Sequence, residues 1–228
     1  MPVFQLGKDL LFPPPELARP DGLLAIGGDL SPSRLLLAYQ QGIFPWYSPG
    51  EPILWWAPDP RLVLFPSEFH CSRRLTRLRR QEAFQVSFDS AFAEIISHCA
   101  TTREEAGTGT WLDRAMIEAY TRLHSLGYAH SVECRRAGEL VGGLYGVSLG
   151  GVFFGESMFS LESNSSKIAL AALVDLLRAW DFDLIDCQVG TGHLQRLGAR
   201  EIPGVEFSQR LGLALEKPTR RGSWRQNH

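Results

Sequence analysis

Apolar residues recur along this chain with two different periods. Spacings of three and four put Met116, Tyr120 and Leu123 on one stripe, and Leu173, Leu176, Leu177 and Trp180 on another. These stripes predict helices over 112–126 and 165–180. Shorter apolar runs bounded by Gly, Pro and polar turn residues predict strands at 62–65, 84–88, 130–134, 140–148, 152–160 and 184–189. Leu149-Gly150-Gly151 reads as the hairpin turn between two of them. Ser31 can cap a helix over 31–41, with Pro32 in its first turn and Gly42 at its end. Further helices are predicted at 90–99 and 205–215. The order hairpin, strand, helix, strand, helix predicts a mixed sheet covered by helices, an α+β (mixed α/β) fold. Pro66 marks the expected boundary between a Pro/Gly/Trp-rich N-terminal domain (1–66) and a C-terminal domain (67–228). The polar stretch 219–228 is expected to be loose.

Polar residues that interrupt this pattern carry the candidate chemistry. In the strand Ile185-Asp186-Cys187-Gln188, alternation places Asp186 and Gln188 on one face and Cys187 on the other. A carboxylate beside a carboxamide, near Phe153, Phe154, Met158 and Phe159, predicts a polar reacting centre at the lip of an apolar pocket. Glu156 lies in the same aromatic stretch and needs a partner there, either an arginine or a cationic group of a substrate. Residues 71–80, CSRRLTRLRR, hold five arginines and no acid. At helical spacing Arg73, Arg77 and Arg80 share a face, while Leu75 and Leu78 can pack inward. Such a face fits a polyanion or plain solvent. Trp46 and Trp111 fall in loops, where an indole can pack as partial core or stack on an unpaired base.

Composition narrows the classes. A net charge of −2 argues against a protein that coats nucleic acid over its whole surface. No apolar run reaches bilayer length and no secretion signal opens the chain, so no membrane association is expected and the reading is cytoplasmic. Cys71, Cys99, Cys134 and Cys187 form no CxxC pair and read as reduced thiols. The six histidines show no metal-ligand spacing, so no metal is expected. Gly146-Val147-Ser148-Leu149-Gly150 matches G-x-S-x-G, with Asp186 and His193 following in hydrolase order. A nucleophile elbow needs a strand that turns into a helix, whereas Ser148 leads into a hairpin, so a serine triad is rejected. Gly27-Gly28-Asp29 lacks the rest of a phosphate-cradling loop and reads as a turn.

Taken together, GLLAIGGDLSP (22–32), QGIFPWYSPGEPILWWAPDPR (41–61), ELVGGLYGV (139–147), FGESMFS (154–160) and IDCQ (185–188) resemble the leucyl/phenylalanyl-tRNA–protein transferases over almost the whole chain. The resemblance implies an N-acetyltransferase-like C-terminal domain. It also implies transfer of Leu or Phe (or Met) from aminoacyl-tRNA to the α-amino group of proteins that start with Arg or Lys, which creates an N-terminal degradation signal. By the same resemblance, Leu144, Phe153, Gly155, Met158, Leu170, Leu173, Leu177 and Ile185 form the side-chain pocket. Asp186, Gln188 and Glu156 serve the reaction, Trp46, Trp111 and Tyr120 meet the tRNA 3′-adenosine, and Arg73, Arg77 and Arg80 face the acceptor stem. The partners implied are Leu-tRNA, Phe-tRNA and acceptor proteins, with no DNA. No cofactor is implied, since aminoacyl-tRNA is a co-substrate, and a monomer is expected. Two departures stand out. Leu144, Leu173 and Leu177 replace aromatic residues or Met found in some members, and the spacer 106–110 before Trp111 is longer than expected.

Two other classes compete. An acetyl-CoA-dependent N-acetyltransferase needs a glycine-rich pyrophosphate loop at a helix start, but Leu161-Glu162-Ser163-Asn164 offers an acid and no glycine. A non-catalytic tRNA-binding module leaves Asp186, Gln188 and Glu156 without a purpose.

Overall fold

The structure is a computed structural model that describes residues 3–81, 83–105, 112–189 and 192–225. A four-stranded sheet is built from β1 (Phe4–Leu6), β2 (Leu23–Gly27), β3 (Phe44–Pro45) and β4 (Leu54–Trp56), in the order β1-β2-β4-β3. These strands run from two to five residues, too short for alternation to reveal them in the sequence. Trp55 is fully buried in this layer, and its indole N–H donates to the Gly27 carbonyl at 2.9 Å. Helix α1 (Pro32–Gln40) lies between β2 and β3 in sequence. Its cap is the one expected, with the Ser31 side chain accepting from the Arg34 N–H.

Among the described residues the second sheet has seven strands. They are β5 (Arg61–Leu64), β6 (Gln85–Phe88), β7 (Ala129–Arg136), β8 (Glu139–Leu149), β9 (Val152–Ser160), β10 (Leu184–Gln188) and β11 (Arg200–Ile202), in the order β11-β5-β10-β9-β8-β7-β6. All its described neighbours are antiparallel except β9 and β10, which run parallel and are joined by helix α5 (Ser165–Ala179). The mixed sheet covered by helices is therefore as expected. β5, which precedes Pro66, is a strand of this second sheet.

The sheet is packed on both faces. Ile168, Leu170, Leu173 and Leu177 of α5 join Leu62, Leu64, Leu144, Phe153 and Ile185 in one core. On the opposite face α3 (Phe92–Glu105) and α4 (Arg114–Ser125) contribute Ile95, Met116 and Leu123, which meet Tyr145, Val147 and Phe154. Leu35 and Tyr39 of α1 belong to that second core, so the small sheet's helix is packed against the large sheet. Phe153 and Phe154 fall in different cores because successive residues of β9 face opposite ways. Each fully buried Leu or Phe contributes about 1.5–3 kcal/mol. Gly142 permits the close seat of α5, since a Cβ there would lie 2.2 Å from Ser165 Oγ.

Helix α2 (Arg73–Arg80) buries Leu75 and leaves Arg73, Arg77 and Arg80 exposed. Arg79 turns away from that face and pairs with Asp175 of α5. The remaining helices are α6 (Gly192–Gln195) and α7 (Gly204–Leu215); α6 and β11 carry no periodic signal and were not expected. The end of the described chain also departs from expectation. Trp224 is buried, stacks on His130 with ring centroids 3.8 Å apart, and donates its backbone N–H to Asp89 Oδ2 at 2.7 Å. One large aromatic side chain outweighs the polar composition of its neighbours. Replacing Trp224 with Ala is expected to cost about 3–5 kcal/mol in a denaturant titration; a loss below about 1 kcal/mol, the scale of a surface substitution, would show that the segment is not docked.

Candidate active site

The parallel strands β9 and β10 stay paired only through Val152–Leu184, Phe153–Ile185 and Phe154–Asp186. Past Phe154, β9 continues beside β8 as far as Ser160. The β10–β5 register is irregular between Asp186 and Gln188, and Gln188 takes a left-handed φ of 63°. The two strands part, and a cavity of ≈ 260 Å³ opens in the gap. Leu144, Phe153, Met158, Leu170, Leu173 and Ile185 form its apolar wall. Gly155, Glu156, Cys187 and Gln188 edge it along the parted strands, and Tyr145, Ser157, Val189, His193 and Leu194 also reach it.

The left-handed residue breaks strict alternation. Cys187 lines the cavity on the same side as Ile185 and also packs against the core, and Gln188 joins it there, so the expectation that Cys187 and Gln188 face opposite ways is corrected. Asp186, expected beside Gln188, is instead sealed behind it, fully buried. Its carboxylate forms a two-pronged ion pair with Arg61, at 2.8 Å from Nε and 2.6 Å from Nη2. The Arg61 guanidinium sits between the rings of Phe44 and Phe207, 4.8 and 4.7 Å from their centroids. Asp186 Oδ1 also accepts the Gln188 backbone N–H at 2.9 Å, which pins the residue that turns out of the strand.

Glu156 is buried, and among the described residues no arginine or lysine pairs with it. Its Oε1 accepts from Tyr39 Oη and from Gln188 Nε2, each at 2.8 Å, and its Oε2 is hydrogen-bonded to Tyr120 Oη at 2.9 Å. Burial pushes this carboxyl up to about 7; the Tyr39 and Tyr120 hydrogen bonds pull it down, the Asp186 charge adds to the rise, and Gln188 opposes it. With the Gln188 amide nitrogen turned to Glu156, its oxygen is left as the free acceptor of the carboxamide. Burial and then the Asp186 charge raise the Cys187 thiol far above its ordinary range, so it stays a neutral thiol. Burial, followed by the Lys167 and Arg196 charges, lowers His193.

The expected pocket residues Leu144, Phe153, Gly155, Met158, Leu170, Leu173 and Ile185 all reach the cavity, whereas Leu177 lies one layer deeper in the α5 core. Tyr120 is fully buried with its hydroxyl on Glu156, so its ring is not the surface for a nucleotide that was expected. Trp46 is 44% exposed and packs against Trp56 instead of lining the cavity. Trp111 lies outside the described residues. Several residues of this site went unread in the sequence, among them Tyr39 and Arg61, and His193 on the lining. Tyr39 left no trace, but Arg61 opens an apolar strand and Asp186 sits within another. Opposite charges stranded in two apolar strands could have been paired on the rule that buried charges need partners. Among the described residues no helix is long and apolar enough to cross a membrane, and no group of His, Cys, Asp or Glu is placed to hold a metal ion.

The chain is similar to known proteins over nearly its whole length. The sequence profile of the leucyl/phenylalanyl-tRNA protein transferase family matches residues 63–212, and that of the family's N-terminal domain matches residues 28–59. A leucyl/phenylalanyl-tRNA–protein transferase from Syntrophus aciditrophicus is 60% identical over 98% of this chain and 94% of its own. One from Desulforapulum autotrophicum is 57% identical over 98% of both chains. Among solved structures, a GCN5-related N-acetyltransferase from Kribbella flavida aligns at TM-score 0.39 and 13% identity, covering 75% of this chain and 60% of that one.

The buried ion pair behind the cavity makes a direct prediction. Arg61→Met leaves Asp186 charged and unpartnered, which should cost about 3–5 kcal/mol. Adding Asp186→Leu should recover part of that loss in equilibrium unfolding; a double variant less stable than Arg61→Met would show that the pair is not the coupled unit described.

Proposed function

The chain belongs to the leucyl/phenylalanyl-tRNA–protein transferase family, and from that premise we propose that the cleft between β9 and β10 receives the aminoacyl end of a charged tRNA and passes its amino acid to the N-terminal amine of a protein. The observation that carries this reading is the cavity itself. At ≈ 260 Å³ it falls below the roughly 300–1,000 Å³ of pockets for drug-sized ligands, a size for one amino-acid side chain. Its wall of Leu, Phe, Met and Ile side chains suits Leu, Phe or Met. Discrimination among them is expected to be modest, since one methylene is worth only about 1–3 kcal/mol.

The chemistry asks little of the protein beyond placement. The donor is an ester, and holding amine and carbonyl in reacting geometry can supply about 7–11 kcal/mol. The Gln188 carboxamide oxygen, left free by the bond from its nitrogen to Glu156, accepts from the attacking amine and aligns it. A protein α-amine, with a pKa near 8, must shed a proton as its nitrogen bonds to the ester carbonyl carbon, and the tRNA ribose oxygen released when the C–O bond breaks takes a proton up, so the transfer balances with no net proton left on the protein. Asp186 is a positioning residue in this reading. Arg61 balances its charge and the Gln188 N–H occupies Oδ1, so it holds the left-handed turn and does not take the proton. The acceptor proposed from the resemblance is a protein that begins with Arg or Lys.

Two surface features support tRNA as the carrier. Arg73, Arg77 and Arg80 are exposed on one helix with no acid in that helix. The exposed Trp46 offers an apolar face for end-stacking on the 3′-adenosine. Trp111 is proposed beside it from the resemblance alone.

Single-turnover transfer from Leu-tRNA and Phe-tRNA to an Arg-starting peptide tests the reading. Wild type should transfer from both. Phe153→Ala should slow both donors and Gln188→Ala should slow transfer about tenfold or more, roughly one hydrogen bond's worth; unchanged rates in both folded variants would remove the assignment. Separately, replacing Arg73, Arg77 and Arg80 together should flatten the dependence of tRNA affinity on salt concentration, and an identical slope would place the RNA elsewhere.

A further inference from the structure

The oxygens of Tyr39, Tyr120 and Glu156 form a closed triangle. The phenol oxygens lie 2.6 Å apart, Tyr39 Oη is 2.8 Å from Glu156 Oε1, and Tyr120 Oη is 2.9 Å from Glu156 Oε2. Every side of the triangle has hydrogen-bond length, and every side needs a hydrogen between its two oxygens. The two phenols bring one hydrogen apiece, and an ionised carboxylate brings none. With Glu156 ionised, one side would press lone pairs together inside a buried site. With Glu156 protonated the count closes. Glu156 Oε2–H donates to Tyr120, Tyr120 donates to Tyr39, and Tyr39 donates back to Glu156 Oε1. That same Oε1 still accepts from Gln188 Nε2, so no donor is wasted.

We propose that Glu156 works as a neutral carboxylic acid that closes a three-hydrogen ring with Tyr39 and Tyr120, and that this ring is the positioning device which turns the Gln188 carboxamide oxygen toward the attacking amine. The second half rests on the aminoacyl-transfer reading of the cavity; the first half stands on the ring alone.

The groups around Glu156 are consistent with a proton kept there. Tyr39 comes from α1 and Tyr120 from α4, and burial with the nearby Glu156 carboxyl raises both phenols well above their ordinary range, so the proton that comes and goes belongs to the carboxyl. Tyr145 of β8 reinforces the rise at Tyr39. On β10, the Asp186 charge opposes a second negative charge, although Arg61 of β5 partly offsets it. His193 of α6 lines the same cavity and is itself held toward its neutral form.

Glu156→Gln preserves the neutral pattern. Its carboxamide oxygen can accept from Tyr39 and Gln188 while its nitrogen donates to Tyr120. The test is infrared difference spectroscopy on the whole protein, stepped across about pH 7, where ordinary carboxyls are already ionised. Wild type should show the C=O band of a protonated acid on the acid side and lose it on the alkaline side, and Glu156→Gln should lack the band throughout. A wild-type spectrum without that band overturns the proposal. Stability gives a second readout. The folded value of about 7 lies above the ordinary 4.5, so the folded chain binds this proton more tightly than the unfolded one. That gain is complete below about pH 4.5 and is lost as the pH rises through about 7. The melting temperature of wild type relative to Glu156→Gln should therefore fall across this window, and a constant difference counts against the proposal.

Transfer kinetics test the positioning half. Tyr39→Phe, which opens the ring without emptying the space, should lower the single-turnover rate about tenfold, one hydrogen bond's worth, with little change in KM for charged tRNA. Glu156→Gln should transfer at least about tenfold faster than Glu156→Ala, and its rate relative to wild type should rise with pH as wild-type Glu156 ionises. A folded Glu156→Gln no faster than Glu156→Ala would mean that negative charge is what the reaction needs, and would overturn this half. An infrared band with no wild-type transfer would instead sink the transfer reading and leave the ring intact.

Discussion

The active cleft depends on a buried charge being satisfied. Asp186 sits without solvent exposure in the middle of the large sheet, and an unpaired carboxylate there would be prohibitive. Arg61 answers it from the adjacent strand, and Phe44 and Phe207 clamp the guanidinium from two other parts of the chain. With Asp186 fixed, its free lone pairs can hold the Gln188 N–H and so stabilise a left-handed residue where a strand would otherwise continue. The pair thus acts on the shape of the sheet as much as on its stability. It ends the pairing of β9 with β10 at the point where the cavity begins.

Around that turn the site divides its labour by depth. Side chains of α5, β8, β9 and β10 make an apolar chamber, and the Gln188 carboxamide on its lining is bonded to Glu156, which two phenols hold in turn. The β10 groups are poor bases: Cys187 is held as a thiol, the Asp186 charge is balanced by Arg61, and Gln188 is a weak acceptor. In the proposed reading they orient an already activated ester, where placement supplies most of the acceleration.

Much of this was legible in the sequence, for identifiable reasons. The long elements declared themselves through period: α5 through Leu173, Leu176 and Leu177, and β8–β9 through glycine-bounded apolar runs around Gly150-Gly151. Of the aromatic stretch singled out from its own residues, Phe153 and Met158 reach the chamber while Phe154 and Phe159 belong to the other core, and the rest of the wall was read through the family resemblance. What escaped depended on contacts between distant segments or on local breaks in periodicity. Alternation holds from Leu184 to Cys187, and the positive φ at Gln188 turned that residue alone from the Asp186 face to the cavity, which no alternation rule anticipates. Tyr39 and Tyr120 bond to each other across 81 positions of sequence and read as ordinary helix residues until the fold brings them to Glu156. Trp224 escaped because a single ring decided the fate of a polar stretch.

The small sheet's unit lends two side chains to chemistry housed in the large one: Tyr39 from its helix and Phe44 from its edge strand. Such a loan forbids modular exchange. A recombinant that grafts a foreign N-terminal unit onto this C-terminal one would keep the chamber yet inherit an incomplete proton ring and a half-clamped guanidinium. An engineer who wishes to retarget this scaffold must carry both units across together.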